Sequence, residues 1–314
     1  MSPQGAQPVY RTKTESVPQP PASEHWFPAG SIVVGVDGSS SSIEAVEWAA
    51  RQAALEHRPI ALLHTFHIEG IYWLPAMGYD PREIRRSLRE EGKRLISAAE
   101  RRVHETAPSV EVHHVLGDAD ARTTLIEASR TASMVVLGSR GRGPVASTFL
   151  GSVGVTVVRH AACPVVVRRP EHDHVSHGVI VGTDMSEESR PVMEYAYRLA
   201  STRGLPLTVL VDHQPSPFLS PSELETIDRV PRERVAHWMA DLHAKFPDVR
   251  VKECDAVEPF ARALTSLGTE KDLVVVGGQG GGSLASALRR SAAVAVVEHV
   301  PSTVVVVPVP GDAY

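Results

Sequence analysis

Two groups of residues in this 314-residue chain have the chemistry of a ligand site. The first lies in Ser133–Ser152, SMVVLGSRGRGPVASTFLGS. There an apolar run ends at Gly138, Arg140, Gly141 and Arg142 follow, and Gly151-Ser152 opens a short helix. A strand that passes through a glycine-rich loop into a helix start makes an anion cradle. The first-turn N–H groups have no partner inside the helix, and the macrodipole adds partial positive charge. Glycine permits close backbone approach and positive φ. The Ser152 hydroxyl adds a donor, and Arg140 and Arg142 can neutralise phosphate charge. The second group is a single residue, Asp37, which ends the β-branched run Ser31–Val36 (SIVVGV) and offers a carboxylate acceptor at a strand end. Each residue also has a plainer reading: Asp37 as a turn or N-cap aspartate, the glycines as turn formers, the arginines as solvated loop residues.

The elements that must position these residues follow from hydrophobic period. Strands are predicted at Ser31–Val36, Ile60–Phe66, Val110–Val115, Met134–Leu137 and Pro164–Arg168. Between them, helices are predicted at Ile43–Glu56, Pro81–Thr106, Ala119–Thr131 and Ser152–His160, with 67–80 a loop. Strands alternating with helices specify βαβ units and a parallel sheet. After 169–177 the pattern restarts. Gly178–Thr183 stops at Asp184 as Ser31–Val36 stops at Asp37, 147 residues apart, and Leu207 stands at the same interval from Ile60. Leu273–Val276 before Gly277 copies Met134–Leu137 before Gly138, and Thr303–Val307 copies the fifth strand. The chain is a tandem repeat of one α/β unit. Residues 1–29, rich in proline and polar residues, read as a disordered tail. The domains are 30–169 and 178–309, with a linker at 170–177 and a short tail at 310–314.

The motif GVDGS, the spacing Gly138-x2-Gly141-x9-Gly151-Ser152 and the closing CPVVV together resemble the universal stress protein family, in two copies. The resemblance implies two open, doubly wound five-stranded parallel sheets of order 3-2-1-4-5. It also implies ATP binding, sometimes with Mg²⁺, in a Rossmann-like site. Carried over, Asp37 bonds the adenosine, the Thr65 backbone contacts adenine, and Gly138, Gly141, Gly151, Ser152 and Val153 surround the phosphates. In such a sheet the ligand crevice lies beyond the strand C-termini where strand order reverses, between strands 1 and 4, so Asp37 and Gly138 flank it. The second copy keeps Asp184, Gly277, Gly280 and Ser291 but has Arg290 in place of Gly151, which predicts a weaker site. The resemblance further implies antiparallel pairing through strand 5, here between the two copies of one chain, with a homodimer of chains left open.

The function expected is that of an ATP-responsive regulatory protein of stress physiology with an unidentified protein partner. Slow ATP hydrolysis in the same site and a non-nucleotide interaction module stay open as alternatives. No water-activating base is evident, and the G-x4-G-K-[ST] pattern of P-loop enzymes is missing. Gly141, Gly143 and Ala146 fit a dinucleotide fingerprint, but after the fourth strand and with Pro144 inside it. His172, His174 and His177 read as solvated linker residues rather than a metal clip, and His64, His67, His113 and His114 as ordinary strand or strand-end residues. A net charge of −5 gives no footprint for nucleic acid or an anionic membrane. Cys163 and Cys254 read as buried free thiols of a reducing cytoplasm.

Overall fold

The computed structural model describes residues 27–67, 80–139, 150–169, 178–212, 232–278 and 296–309. Its centre is one ten-stranded sheet. The strands are β1 (Ile32–Gly35), β2 (Ile60–Thr65), β3 (Val112–Gly117), β4 (Met134–Gly138) and β5 (Val165–Arg168), then β6 (Val179–Thr183), β7 (Leu207–Val211), β8 (Val251–Asp255), β9 (Leu273–Gly277) and β10 (Thr303–Val307). Their spatial order is β3-β2-β1-β4-β5-β10-β9-β6-β7-β8. The first half has the order 3-2-1-4-5, and the second half repeats it as β8-β7-β6-β9-β10. Within each half all neighbours are parallel.

The halves join where β5 and β10 run antiparallel, with Val167 opposite Val304, Val166 opposite Val305 and Val165 opposite Val306. These valines are nearly or wholly buried, so the apolar strand that would edge a lone five-stranded sheet is covered by the other copy. Because the halves are antiparallel, the C-terminal end of β5 and the N-terminal end of β6 lie on one side of the sheet. β5 and β6 are three strand spacings apart in the order, roughly 14 Å. The chain between Arg169 and Gly178 can reach about twice that distance, so one chain can make this pairing with itself.

Strand alternation divides the core between the two faces. Ile32, Val34, Leu62, Val136 and Val181 face one layer with Trp48, Ala49 and Ile96 and with Tyr197 and Trp238. Val33, Leu63, Val135, Val274 and Val304 face the other with Leu125, Val157, Leu264 and Val300. The first layer holds α1 (Ser40–Glu56), α2 (Pro81–Thr106), α5 (Arg190–Arg203) and α6 (Arg232–Lys245); the second holds α3 (Ala121–Ala128), α4 (Ser152–His160) and α7 (Phe260–Gly268). A 3₁₀ turn, Glu187–Ser189, precedes α5.

Some boundaries differ from the pattern reading. Phe27 belongs to the packed protein rather than to a tail ending at residue 29: it is buried in the second layer, and the Pro28 carbonyl accepts from the Ser31 hydroxyl and N–H. α1 starts at Ser40 because Ser39 caps it, its hydroxyl accepting from the Ser42 N–H. α3 starts at Ala121 because the Asp120 carboxylate caps the Arg122 and Thr123 N–H groups, and it ends at Ala128 with Ser129 as its C-cap. β3 is shifted two residues on, to 112–117, because Val110 closes a turn with Ala107. Residues 1–26, 170–177 and 310–314 lie outside the described residues, and the linker histidines with them.

Candidate functional site

β1 and β4 are neighbours with Val34 opposite Val136, so Asp37 and Gly138 leave the sheet on the same edge, side by side. β2 lies on the other flank of β1, with Leu63 opposite Gly35, which brings Thr65 to that edge as well. α4 leads from the end of β4 back to the start of β5, which is parallel to β4. The helix must therefore begin at the strand C-termini and end at their N-termini. Contacts at the far end agree: the Ala162 N–H donates to Ser129 Oγ at 2.8 Å and the Val135 N–H to the Pro164 carbonyl at 2.9 Å. Asp37, Thr65, Gly138, Gly151, Ser152 and Val153 thus share one rim of the first half-sheet.

The cradle side is a bare helix start. Gly151 is the N-cap of α4 and makes no side-chain cap bond. Its carbonyl accepts from the Val155 N–H at 3.0 Å, which starts the helical ladder and leaves the N–H groups of Ser152, Val153 and Gly154 to other acceptors. A Cβ built on Gly151 meets nothing within 4 Å among the described residues. Among the described residues nothing in the packing requires glycine there. Gly138 is different. A Cβ on it would lie 2.6–2.8 Å from the carbonyl carbon, carbonyl oxygen and Cβ of Ser41. Its smallness seats the first turn of α1 on the end of β4. Neither Gly138 nor Gly151 has positive φ; Gly38, at +80°, does. Beside the cradle, Ser139 is 1% exposed and its Oγ has no hydrogen-bond partner, a buried hydroxyl that sequence reasoning passed over.

Opposite lies Asp37. Its Oδ1 accepts from the Ser39 N–H at 2.9 Å and the Ser39 hydroxyl at 2.7 Å. The Ser39 hydroxyl accepts from the Ser42 N–H, and Ser42 Oγ accepts from the Asp37 N–H at 3.2 Å and donates to the Gly35 carbonyl at 3.3 Å. The turn reading of Asp37 is therefore correct, and it occupies one carboxylate oxygen only. The Asp-x-Ser-x-x-Ser spacing was the signal for this network. His64, at the end of β2, places Nδ1 2.7 Å from the Val36 carbonyl, which fixes Nδ1 as the protonated nitrogen.

Arg140, Gly141 and Arg142 lie outside the described residues, as do Gly280, Arg290 and Ser291 in the second copy. Asp184 repeats the Asp37 turn, its Oδ1 accepting from the Ser186 N–H at 3.1 Å and hydroxyl at 2.6 Å. Gly277 ends β9, and Asp212 follows β7 at the position of Thr65. Among the described residues no group of three His, Cys, Asp or Glu could hold a metal, and no helix is long and apolar enough to cross a membrane. Both cysteines are unpaired; burial pushes the Cys163 thiol up to about 12, while Cys254 is only half-buried.

This architecture is that of a tandem doubly wound α/β protein, each half carrying an acid turn on its strand C-terminal rim. Comparison with known proteins places it further. The model of the universal stress protein family matches residues 29–169 and again 177–308. The universal stress protein Rv2623 of Mycobacterium tuberculosis is 32% identical over 288 residues, covering 88% of this chain and 95% of that protein. A universal stress protein of Mycolicibacterium smegmatis is 32% identical over 293 residues, covering 88% and 96%. The crystal structure of a universal stress protein from Archaeoglobus fulgidus shares the fold with a TM-score of 0.64 at 19% identity, covering 91% of this chain and 98% of that one. The chain belongs to the universal stress protein family, with two family domains in tandem.

Proposed function

We propose that the protein binds ATP at the rim of its first half-sheet and acts as a nucleotide-responsive regulator rather than as an enzyme. The observation that carries this reading is the start of α4, which has no side-chain cap bond and no described residue within 4 Å of a Cβ built on Gly151, on the same rim as the half-used carboxylate of Asp37. The donors suit phosphate: Ser152 and Val153 N–H groups and the Ser152 hydroxyl stand at the positive end of a helix. Asp37 Oδ2 would accept from a ribose hydroxyl while Oδ1 holds its turn. The Thr65 backbone closes the adenine side, and Gly138, Arg140, Gly141 and Arg142 line the way to the phosphates. Mg²⁺, where it takes part, comes with the nucleotide, since the described residues offer no metal cluster.

The second site is the weaker one. Arg290 replaces Gly151, putting a side chain where copy 1 allows close backbone approach. Regulation works by population shift: ATP favours the loop state it binds better, and the partner reads that state. The test uses the full chain. Nucleotide released from the purified protein is identified by mass, and ATP is titrated calorimetrically into wild type, Asp37→Ala and Gly151→Arg. Micromolar affinity, about −8 kcal/mol, is expected for wild type, with loss in both variants. Equal binding by all three would remove the proposed site.

A further inference from the structure

The two copies are related position by position, 147 residues apart from β1 through the helix that follows it: Ile32 matches Val179, and the last residues of α1 and α5 are Glu56 and Arg203. Trp48 and Tyr195 match in the same way, as do Gln52 and Leu199. These residues meet where α1 and α5 pack across the join of the half-sheets. Arg203 Nε donates to Gln52 Oε1 at 2.8 Å, and its guanidinium lies 4.5 Å from the centre of the Trp48 ring. On its other side the Gln52 amide donates, through Nε2, to Glu56 Oε1 at 2.6 Å. Gln52 is fully buried, and Trp48 and Tyr195 nearly so. The result is a linear relay, Arg203 to Gln52 to Glu56, whose two ends are the same position of the repeat carrying opposite charge.

We infer that this relay is a pairing code that makes the α1 face of copy 1 select the α5 face of copy 2 and reject a second copy 1. An amide has one donating and one accepting end, so it joins one base to one acid. If two copies 1 met, a second Glu56 would take the place of Arg203, and a carboxylate would face the amide oxygen and the Trp48 ring. If two copies 2 met, Leu199 would replace the amide and two Arg203 guanidinium groups would be buried without it. Only the mixed pair satisfies the relay, and discrimination of this kind comes from the penalty on the wrong partner as much as from the right one. The environment adds to it: burial, with Arg51 and Arg168 nearby, lowers the Arg203 pKa to about 10, so a second cation there would be poorly tolerated.

Charge reversal tests the code in the full chain. Arg203→Glu gives a chain with acid at both ends of the amide; Glu56→Arg gives one with base at both. Each alone should lose thermal stability. Co-expressed with different affinity tags, the two should exchange halves, because copy 1 of the first chain fits copy 2 of the second and the reversed pair needs only a flip of the Gln52 amide. Tandem purification should then recover a one-to-one complex of twice the chain mass, at least about tenfold above a co-expressed wild-type pair. The double variant Glu56→Arg/Arg203→Glu should recover melting temperature relative to both single variants. Co-purification no greater than for wild type, or a double variant no more stable than its singles, would overturn the inference.

Discussion

The two copies share a strand order and an acid turn, yet they differ in how the turn and the neighbouring strand end are built. In copy 1 Gly38 takes φ +80°; in copy 2 the matching residue is Met185, held at φ +57° by a turn in which its N–H donates to Thr183 Oγ1 at 2.9 Å. In copy 1 the α-helix begins at Ser40 and its first turn presses on Gly138. In copy 2 that turn is 3₁₀, and among the described residues a Cβ on Gly277 would meet only side-chain methyls of Val192 and Val309, at 3.3 and 3.4 Å. The helix seat is tight at Gly138 in copy 1 and loose at Gly277 in copy 2. One architecture can thus hold a site closely defined by backbone contact and another in which that constraint has relaxed.

The largest effect is expected from breaking the tight seat. Gly138→Ala should destabilise the protein by about 1–3 kcal/mol, the usual cost of forcing extra volume into a packed contact, while Gly277→Ala should cost less than about 1 kcal/mol. Denaturant titration of the two variants measures the difference, and equal losses would show that the seats are alike. Next, Gly151→Arg gives copy 1 the residue of copy 2. It should lower ATP affinity at least about tenfold with stability within about 0.5 kcal/mol of wild type, since nothing described lies within 4 Å.

Helix ends sharpen the comparison further. α3 is capped by Asp120, whereas α7 starts at Pro259 with no side-chain cap. Asp120→Ala should cost about 1 kcal/mol or somewhat less at this partly exposed site. The Arg122 side-chain bond, helped by the Thr123 and Arg122 N–H groups, holds the Asp120 carboxyl below its ordinary value. The folded-state pKa is thus the lower one. Its contribution should be present above the unfolded carboxyl value of about 3.9 and disappear as pH falls through the folded value, so wild type and variant should converge in acid. The smallest effect lies at the C-caps. His57 (φ 52°) ends α1 where Gly204 (φ 64°) ends α5. His57→Gly should raise stability by a few tenths to about 1 kcal/mol, and Gly204→Ala should lower it by a similar amount.

Strand positions were legible because parallel strands buried on both faces leave continuous apolar runs, as at Met134–Leu137 and Thr303–Val307. Helix starts were less so, because side-chain caps at Ser39 and Asp120 decide them within a turn. The order 3-2-1-4-5 came from the family resemblance, since periodicity does not say which strands are neighbours. Near the strand ends, the reason for each glycine did not follow from spacing. Gly138 answers to Ser41, a residue almost a hundred positions away, whereas a Cβ on Gly151 would meet nothing among the described residues. The Gln52 relay was invisible for the same reason: its partners are 151 residues apart and each, taken alone, is an ordinary polar residue of a helix end.

The single antiparallel contact between β5 and β10 turns the halves end for end. Their two C-terminal rims consequently look in opposite directions, like sockets cut into the two long edges of one plank. A ligand bound at the first rim, as proposed above, would therefore stand on the side of the sheet away from the second rim.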